Sequence, residues 1–441
     1  MRVILRMSSR FGGDRRGNIA VIFALAIIPV VTMVGAAVDY TRANQLKSKL
    51  QAAADAASVG SIARTSAAFV AAGSMTTDGT IAVGATDATK IFNGNATGLS
   101  GVTINSVTPT VTKTGSTLTS VVDYSADIPT SFMGVIGKSA LTVTGTSTST
   151  ANIPQYIDFY VLLDNSPSMG VGATPADVTT MVNNTSDKCA FACHDLNNTN
   201  NYYKLAKSLN VTTRIDVLRT ATQNLMATAQ NTQTYSTQFR MAIYDFGGSS
   251  DTQGLRSLFS LSSSLSSAQT AAGNIDLMTV NGQNDNNDQD TGFSAIIPAI
   301  DTAITTPGNG TSGSPLKYLF FVSDGVADEY NPSKCIKSTT SSGRCQSPID
   351  PTLCNNMKNR GVKIAVLYTT YLQLPTNSWY MTWIDPFNSG PWGPSPNSQI
   401  AQNMQACASP GFYFEVSPTQ GISDAMNTLF AKAVMDARIS R

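Results

Sequence analysis

The sequence predicts an α/β chain in three parts: an N-terminal membrane-spanning helix, a small β-rich region, and a doubly wound domain. Three observations carry that prediction. An uncharged apolar run fills residues 19–38; Thr, Ser, Val and Gly dominate residues 68–152; strand-like apolar runs alternate with helical periodicity from residue 156 onward. A length of 441 residues fits about three units. Charged residues make up only 13%, so a disordered charged tail is excluded, and 42% hydrophobic content supplies a core. A net charge of +1 offers no field for nucleic acid, and a single histidine, His194, excludes multi-histidine metal enzymology.

The apolar run comes first. Residues 1–17 carry Arg2, Arg6, Arg10, Arg15 and Arg16 against one acid, Asp14, and form a basic segment. Residues 18–38, interrupted only by Pro29 and Thr32, are long enough to cross about 30 Å of hydrocarbon. The arginine excess places residues 1–17 in the cytoplasm and everything after Asp39 outside. A cleaved secretory signal, with Gly35-Ala36-Ala37 as its cleavage-like segment, is the rival, but such apolar regions run about 7–15 residues.

Beyond the run, residues 39–67 continue as a helix. Leu46, Leu50, Ala54 and Ala57 recur at helical spacing, with charges on the other face. That stripe fits packing either on the helix's own domain or against similar helices in an assembly. The segment resembles the N-terminal module of the TadE/TadG family of the Flp (tight adherence, Tad) pilus system. The resemblance rests on Arg15-Arg16-Gly17-Asn18, the apolar run, Asp39-Tyr40 and the run from Leu50 through Ala57. It implies a membrane-anchored protein whose partners are Tad assembly proteins or pilins. Processed relatives are cut after a glycine and carry glutamate at mature position five. Cleavage after Gly17 would put Ile22 there, so processing is not expected.

Residues 68–152 read as a β spacer. Segments 102–107, 118–124 and 141–144 are β-branched runs between Gly and Pro punctuation, and Asp87 to Phe92 reads as a short helix.

The third part, residues 156–435, begins with an apolar run ending in Asp164-Asn165-Ser166-Pro167-Ser168. A second buried strand ends in Ser323-Asp324-Gly325, and Asp290-Thr291-Gly292 opens an apolar helix between them. In open α/β sheets, ligands sit at the carboxyl edge where such loops meet. This order resembles a von Willebrand factor A (VWFA, Rossmann-like) domain with a metal-ion-dependent adhesion site. The resemblance assigns Asp164, Ser166, Ser168, Thr291 and Asp324 as metal ligands. Hydroxyls and two carboxylates are the hard oxygens that Mg²⁺, or Mn²⁺ or Ca²⁺, takes, and they leave charge for an acidic residue of a partner protein. The acidic loop 285–290 departs from the family's usual glycine and threonine, and Asp288 or Asp290 could join the set.

Helices at 214–229, 352–360, 399–408 and 421–433 and strands at 239–246, 363–370 and 412–416 complete the alternation. Insertions at 171–210 and 328–351 exceed ordinary loop length and leave near the metal edge. All six cysteines follow residue 188, which fits an oxidising compartment. A Cys189–Cys193 disulfide is the expected closure of the first insertion, ahead of zinc; Cys335, Cys345, Cys354 and Cys407 leave three pairings open. An envelope hydrolase using a serine near Asp164 with His194 as base, or a VWFA protein of an unrelated envelope system, are the alternatives to a non-enzymatic pilus protein.

Overall fold

The computed structural model describes residues 18–282, 289–330, 335–370, 373–388, 398–416 and 421–439. The basic segment 1–17, the expectation about cleavage at Gly17, and Asp285 and Asp288 lie outside the described residues. Two compact units result, Met1–Ile153 and Pro154–Arg441.

In the first unit one helix, α1 (Asn18–Ser61), runs unbroken through Pro29. It is long and apolar enough to cross a membrane. Its first half leaves Ile19, Phe23, Leu25, Ile28 and Met33 exposed. Its second half turns amphipathic: Ala43, Leu50, Ala53, Ala54 and Ala57 are buried. That stripe is covered by its own unit, by helix α3 (Ala82–Ala96) and an antiparallel sheet, with α2 (Ala67–Ser74) lying between α1 and α3 in sequence. The sheet joins β1 (Gly79–Thr80), β2 (Thr103–Thr114), β3 (Thr117–Pro129) and β4 (Ala140–Asn152) in that order. Along β3, Leu118, Ser120, Val122, Tyr124, Ala126 and Ile128 are buried in strict alternation, the period of a half-covered strand. Serines stitch helix to sheet: Ser58 Oγ lies 2.8 Å from Ser149 Oγ, and Ser61 Oγ 2.9 Å from Ser120 Oγ. The strands run longer than the β-branched cores that predicted them, and α3 extends well beyond Asp87–Phe92.

The second unit is built on six strands: β5 (Ile157–Leu163), β6 (Phe239–Asp245), β7 (Arg256–Ser262), β8 (Leu316–Ser323), β9 (Lys363–Thr369) and β10 (Tyr413–Val416). Their order across the sheet is β10-β9-β8-β5-β6-β7. All neighbours are parallel except β6 and β7. Numbered within the sheet this is 3-2-1-4-5-6, the doubly wound order, so the fold class read from the sequence is present. Odd residues of β5 (Ile157, Phe159, Val161, Leu163) enter one core, and Tyr160 and Leu162 enter the other. Two apolar faces explain why these strands read as continuous apolar runs rather than alternating ones.

Helices α4 (Pro175–Asn184), α5 (Arg214–Thr232), α6 (Leu265–Ala272), α7 (Phe293–Ala303), α8 (Gln399–Cys407) and α9 (Ile422–Ile439) accompany the sheet. Buried residues of α5, α6 and α9 enter the first core, and those of α7 and α8 the second. The helix expected over 352–360 splits into a 3₁₀ turn at Pro351–Cys354 and a short helix at Asn355–Asn359. The second insertion folds back as a hairpin, Val326–Glu329 against Cys345–Pro348. Disulfides join Cys335 to Cys345 and Cys354 to Cys407.

The expected Cys189–Cys193 bridge is not formed; both cysteines are buried. Phe191, midway between them, is bridged antiparallel to Val171, and Ala192 N donates to Gly170 O.

Candidate metal centre

The strand order places the site. Chain direction across the sheet reverses between β5 and β8, and the crevice at the carboxyl ends of those two strands is the switch point. Asp164 follows β5 there, and Asp324 follows β8; both are fully buried.

Asp164 is held on both carboxylate oxygens. Oδ1 accepts from Ser166 N at 3.0 Å and Ser166 Oγ at 2.6 Å, and Oδ2 accepts from Ser323 Oγ at 2.6 Å. Ser166 Oγ lies 2.9 Å from Ser168 Oγ, which is partly exposed. Asn165 locks the loop from below, with Nδ2 donating to Gly247 O and Oδ1 accepting from Phe246 N. Gly325 supplies the turn after Asp324. Its φ is +77°, and a Cβ there would meet Met404 Cγ at 2.7 Å.

Thr291 is buried, and its Oγ1 donates to Asp290 Oδ1 at 2.8 Å. Its loop is clipped to the second insertion, since Thr291 N donates to Asp328 O and Asp328 N donates back to Thr291 O.

Electrostatics identify the cluster as strained in charge. Burial, then the neighbouring Asp324 carboxylate, pushes Asp164 up to about 7, against the pull of Ser166 and Ser323. Asp290 is raised well above its ordinary value by burial, then by Asp328, with Asp164 adding to it. The cation closest to Asp324 is Arg214, the fully buried first residue of α5, with Nη1 3.7 Å from Asp324 Oδ2. Its Nη2 also donates to Thr370 O.

Asp164, Ser166, Ser168 and Asp324 therefore converge, and Ser168 and Thr291 line one cleft of about 370 Å³. Asp290 lines that cleft too, whereas Asp288 lies outside the described residues. Among the described residues no group of three or more His, Cys, Asp or Glu is arranged around a metal position. Two carboxylates and three hydroxyls in this set are hard oxygen donors of the kind a divalent cation takes.

Sequence reasoning missed Ser323 and Arg214. Ser323 was visible as a hydroxyl closing an otherwise apolar strand. Arg214 read only as the first residue of a helix, and its place before the apolar stripe of α5 was the one hint of burial. Both insertions border the cleft, through Phe191 of the first and Asp328 and Arg344 of the second. Phe191 packs edge-on against Trp379, with ring centroids 5.7 Å apart.

Comparison with the curated proteins finds no match. Among solved structures the chain is similar to the vWF domain of the type V pili tip protein Mfa5 from Porphyromonas gingivalis. Identity is 9% and the TM-score 0.36, over 65% of this chain and 97% of that one. It is also similar to a substituted form of the PilB minor pilin from Streptococcus sanguinis, at 10% identity and TM-score 0.34, covering 77% and 79%. Manganese-loaded Plasmodium vivax TRAP is a third, at 11% identity and TM-score 0.30, covering 61% and 71%. Residues 17–64 match the family model described as Flp pilus-assembly TadE/G-like. The chain thus carries, over residues 17–64, a TadE/G-like segment of the Flp pilus-assembly type.

Proposed function

We propose that the chain is a membrane-anchored Tad/Flp pilus assembly or adhesion protein, not an enzyme, whose second unit binds a protein partner through a divalent cation. One observation carries the binding reading: Asp164 and Asp324 meet at the switch point of the sheet beside Ser166 and Ser168, with Thr291 lining the same cleft as Ser168. Asp164 and Asp324 hold the cation by charge, and the three hydroxyls fill neutral positions. When bound, Mg²⁺, or Mn²⁺ or Ca²⁺, supplies a positive centre that a partner's carboxylate can complete. Arg214 shares the charge of Asp324 and so keeps the buried pair tolerable while the centre is apo.

The pilus role is supported by the TadE/G-like segment, and pilins or Tad assembly proteins are the partners it implies. Arginines before the span favour a single pass through the inner membrane, with residues 1–17 cytoplasmic, 18–38 spanning and Asp39 onward periplasmic. Nothing favours the hydrolase alternative. Ser166 gives its hydroxyl hydrogen to Asp164, and His194 packs on Tyr203 with ring centroids 5.1 Å apart.

Isothermal calorimetry with Mg²⁺ or Mn²⁺ tests the site. Asp164→Ala is expected to abolish binding with its circular dichroism unchanged, because it removes a polar side chain and none of the apolar residues that build the two cores. Ser166→Ala and Ser168→Ala should weaken binding less. Binding as tight as wild type in a folded Asp164→Ala protein overturns the metal reading. Lost metal binding with normal pili and attachment overturns the adhesion reading alone.

A further inference from the structure

The loop between β3 and β4 is built in an unusual way for a surface connection. It reads Thr130-Ser131-Phe132-Met133-Gly134-Val135-Ile136-Gly137-Lys138-Ser139, with no acid and four large apolar residues. Val135 is 82% exposed, Ile136 60% and Phe132 44%. The other large apolar side chains exposed in this unit beyond the span, such as Val59, Val70, Val83 and Ile104, are scattered singly in the sequence, which is ordinary for a protein surface.

The loop is also fastened, so its exposure is not the result of slack. The Asp39 carboxylate accepts from three successive backbone groups, Ser131 N at 2.9 Å and Phe132 N and Met133 N at 2.8 Å each. It thereby caps the 3₁₀ turn Met133–Ile136 from a different element. Phe132 lies directly on Gly35 of α1, where a Cβ would stand 2.4 Å from Phe132 Cβ, so only glycine allows that contact.

Gly35 and Asp39 fix the loop's level along the helix. Residues 19–38 rise about 29 Å at 1.5 Å per residue, close to the thickness of the hydrocarbon core. The loop is therefore pinned to the last turn of the apolar run, beside the exposed Val34, Val38 and Tyr40. Its apolar residues prolong the apolar band sideways, and exposed Lys138 follows them where lipid headgroups would begin. Aromatic and basic residues favour that boundary, and amphipathic segments lodge there about 5–10 Å deep.

We propose that the 132–136 loop is a second membrane contact, seated in the interfacial layer of the bilayer and locked to the span by Asp39. The occupant of this surface is lipid, argued from its continuity with the span, and the inference rests on residues 18–38 crossing the membrane. Such a contact would hold the first unit at a fixed height above the bilayer, because span and loop touch lipid on two sides of one capped junction.

Tryptophan quenching in full-length protein tests it. Vesicles of phosphatidylethanolamine and phosphatidylglycerol carry bromine either high on the acyl chains or near their ends. The three native tryptophans all lie in the second unit and give a background that the parent protein measures. Val135→Trp is expected to show blue-shifted added emission, most of it lost to the shallow bromine. Val31→Trp, inside the span, should be quenched by the deep bromine, and Val70→Trp, exposed on α2, by neither. Water-like, unquenched emission from Val135→Trp beside a quenched Val31→Trp overturns the loop contact and leaves the span standing. An unquenched Val31→Trp overturns both. Blue-shifted but unquenched Val135→Trp emission also overturns it, since protein, such as a second copy, then covers the loop.

Discussion

Arg214 shows how much a single side chain can be asked to carry. It is wholly buried, lies 3.7 Å from Asp324 and donates to the Thr370 carbonyl. Removing one partner of a buried pair leaves the other charged in a poor solvent, which costs about 3–5 kcal/mol. Arg214→Met should therefore lower the unfolding free energy by about 3 kcal/mol in chelator, measured by urea denaturation. Excess Mg²⁺ should recover part of that loss, because a cation at Asp164 and Asp324 supplies the missing charge. A variant whose stability ignores Mg²⁺ would show that the two carboxylates do not share a metal. The residues proposed as ligands were legible because each stands in a short polar run beside a long apolar one, where a strand must end or a helix begin. Arg214 was not, since no local pattern announces that a charged residue at a helix start will be covered by the loop after β9.

Elements obey the same logic at greater length. Helix α5 starts with a capping box, in which Thr213 N donates to Asp216 Oδ2 at 3.0 Å; Thr213 Oγ1 donates to the same oxygen at 2.6 Å, and Asp216 also meets Lys207 and Arg219. Burial works against the Asp216 charge, yet the hydrogen bonds from Lys207 and Thr213 prevail and bring its carboxyl down to about 2. A carboxyl lowered by folding stabilises the native state above its ordinary value near 4, and that contribution disappears as pH falls from about 4 to 2. Asp216→Asn, which keeps an acceptor and removes the charge, should cost at most about 2 kcal/mol at pH 7. The gap between variant and parent should close below pH 2 in the same denaturation assay. The central strands were predictable because both faces are buried. Edge strand β7 escaped notice because every one of its residues stays partly or wholly exposed, which leaves a mixed pattern without a clear period. The 352–360 segment was over-read as one helix because Asp350-Pro351 forces a tight 3₁₀ entry that apolar spacing alone does not reveal.

At the scale of the whole molecule, compartment and cross-links stand or fall together. A reporter fused after Arg441 should be active only in the form that works outside the cytoplasm; cytoplasmic activity would reverse the proposed orientation. Peptide mapping of native protein without reductant should recover Cys335 joined to Cys345 and Cys354 joined to Cys407. Other partners for those four cysteines would contradict the hairpin that frames the cleft. The division into an apolar anchor, a β region and a doubly wound domain could be read from composition and periodicity. How the anchor meets the β region could not, because Asp39, Gly35 and the 130–138 loop are about a hundred residues apart in sequence. That meeting has a mechanical meaning. Helix α1 passes from the apolar run into the β unit with no break, about 66 Å at 1.5 Å per residue over its 44 residues. Beyond Pro29, where one backbone N–H is missing, nothing interrupts it, so a tug or twist applied past that point reaches the sheet as a tug or twist, and the first unit behaves as a handle fixed to its shaft.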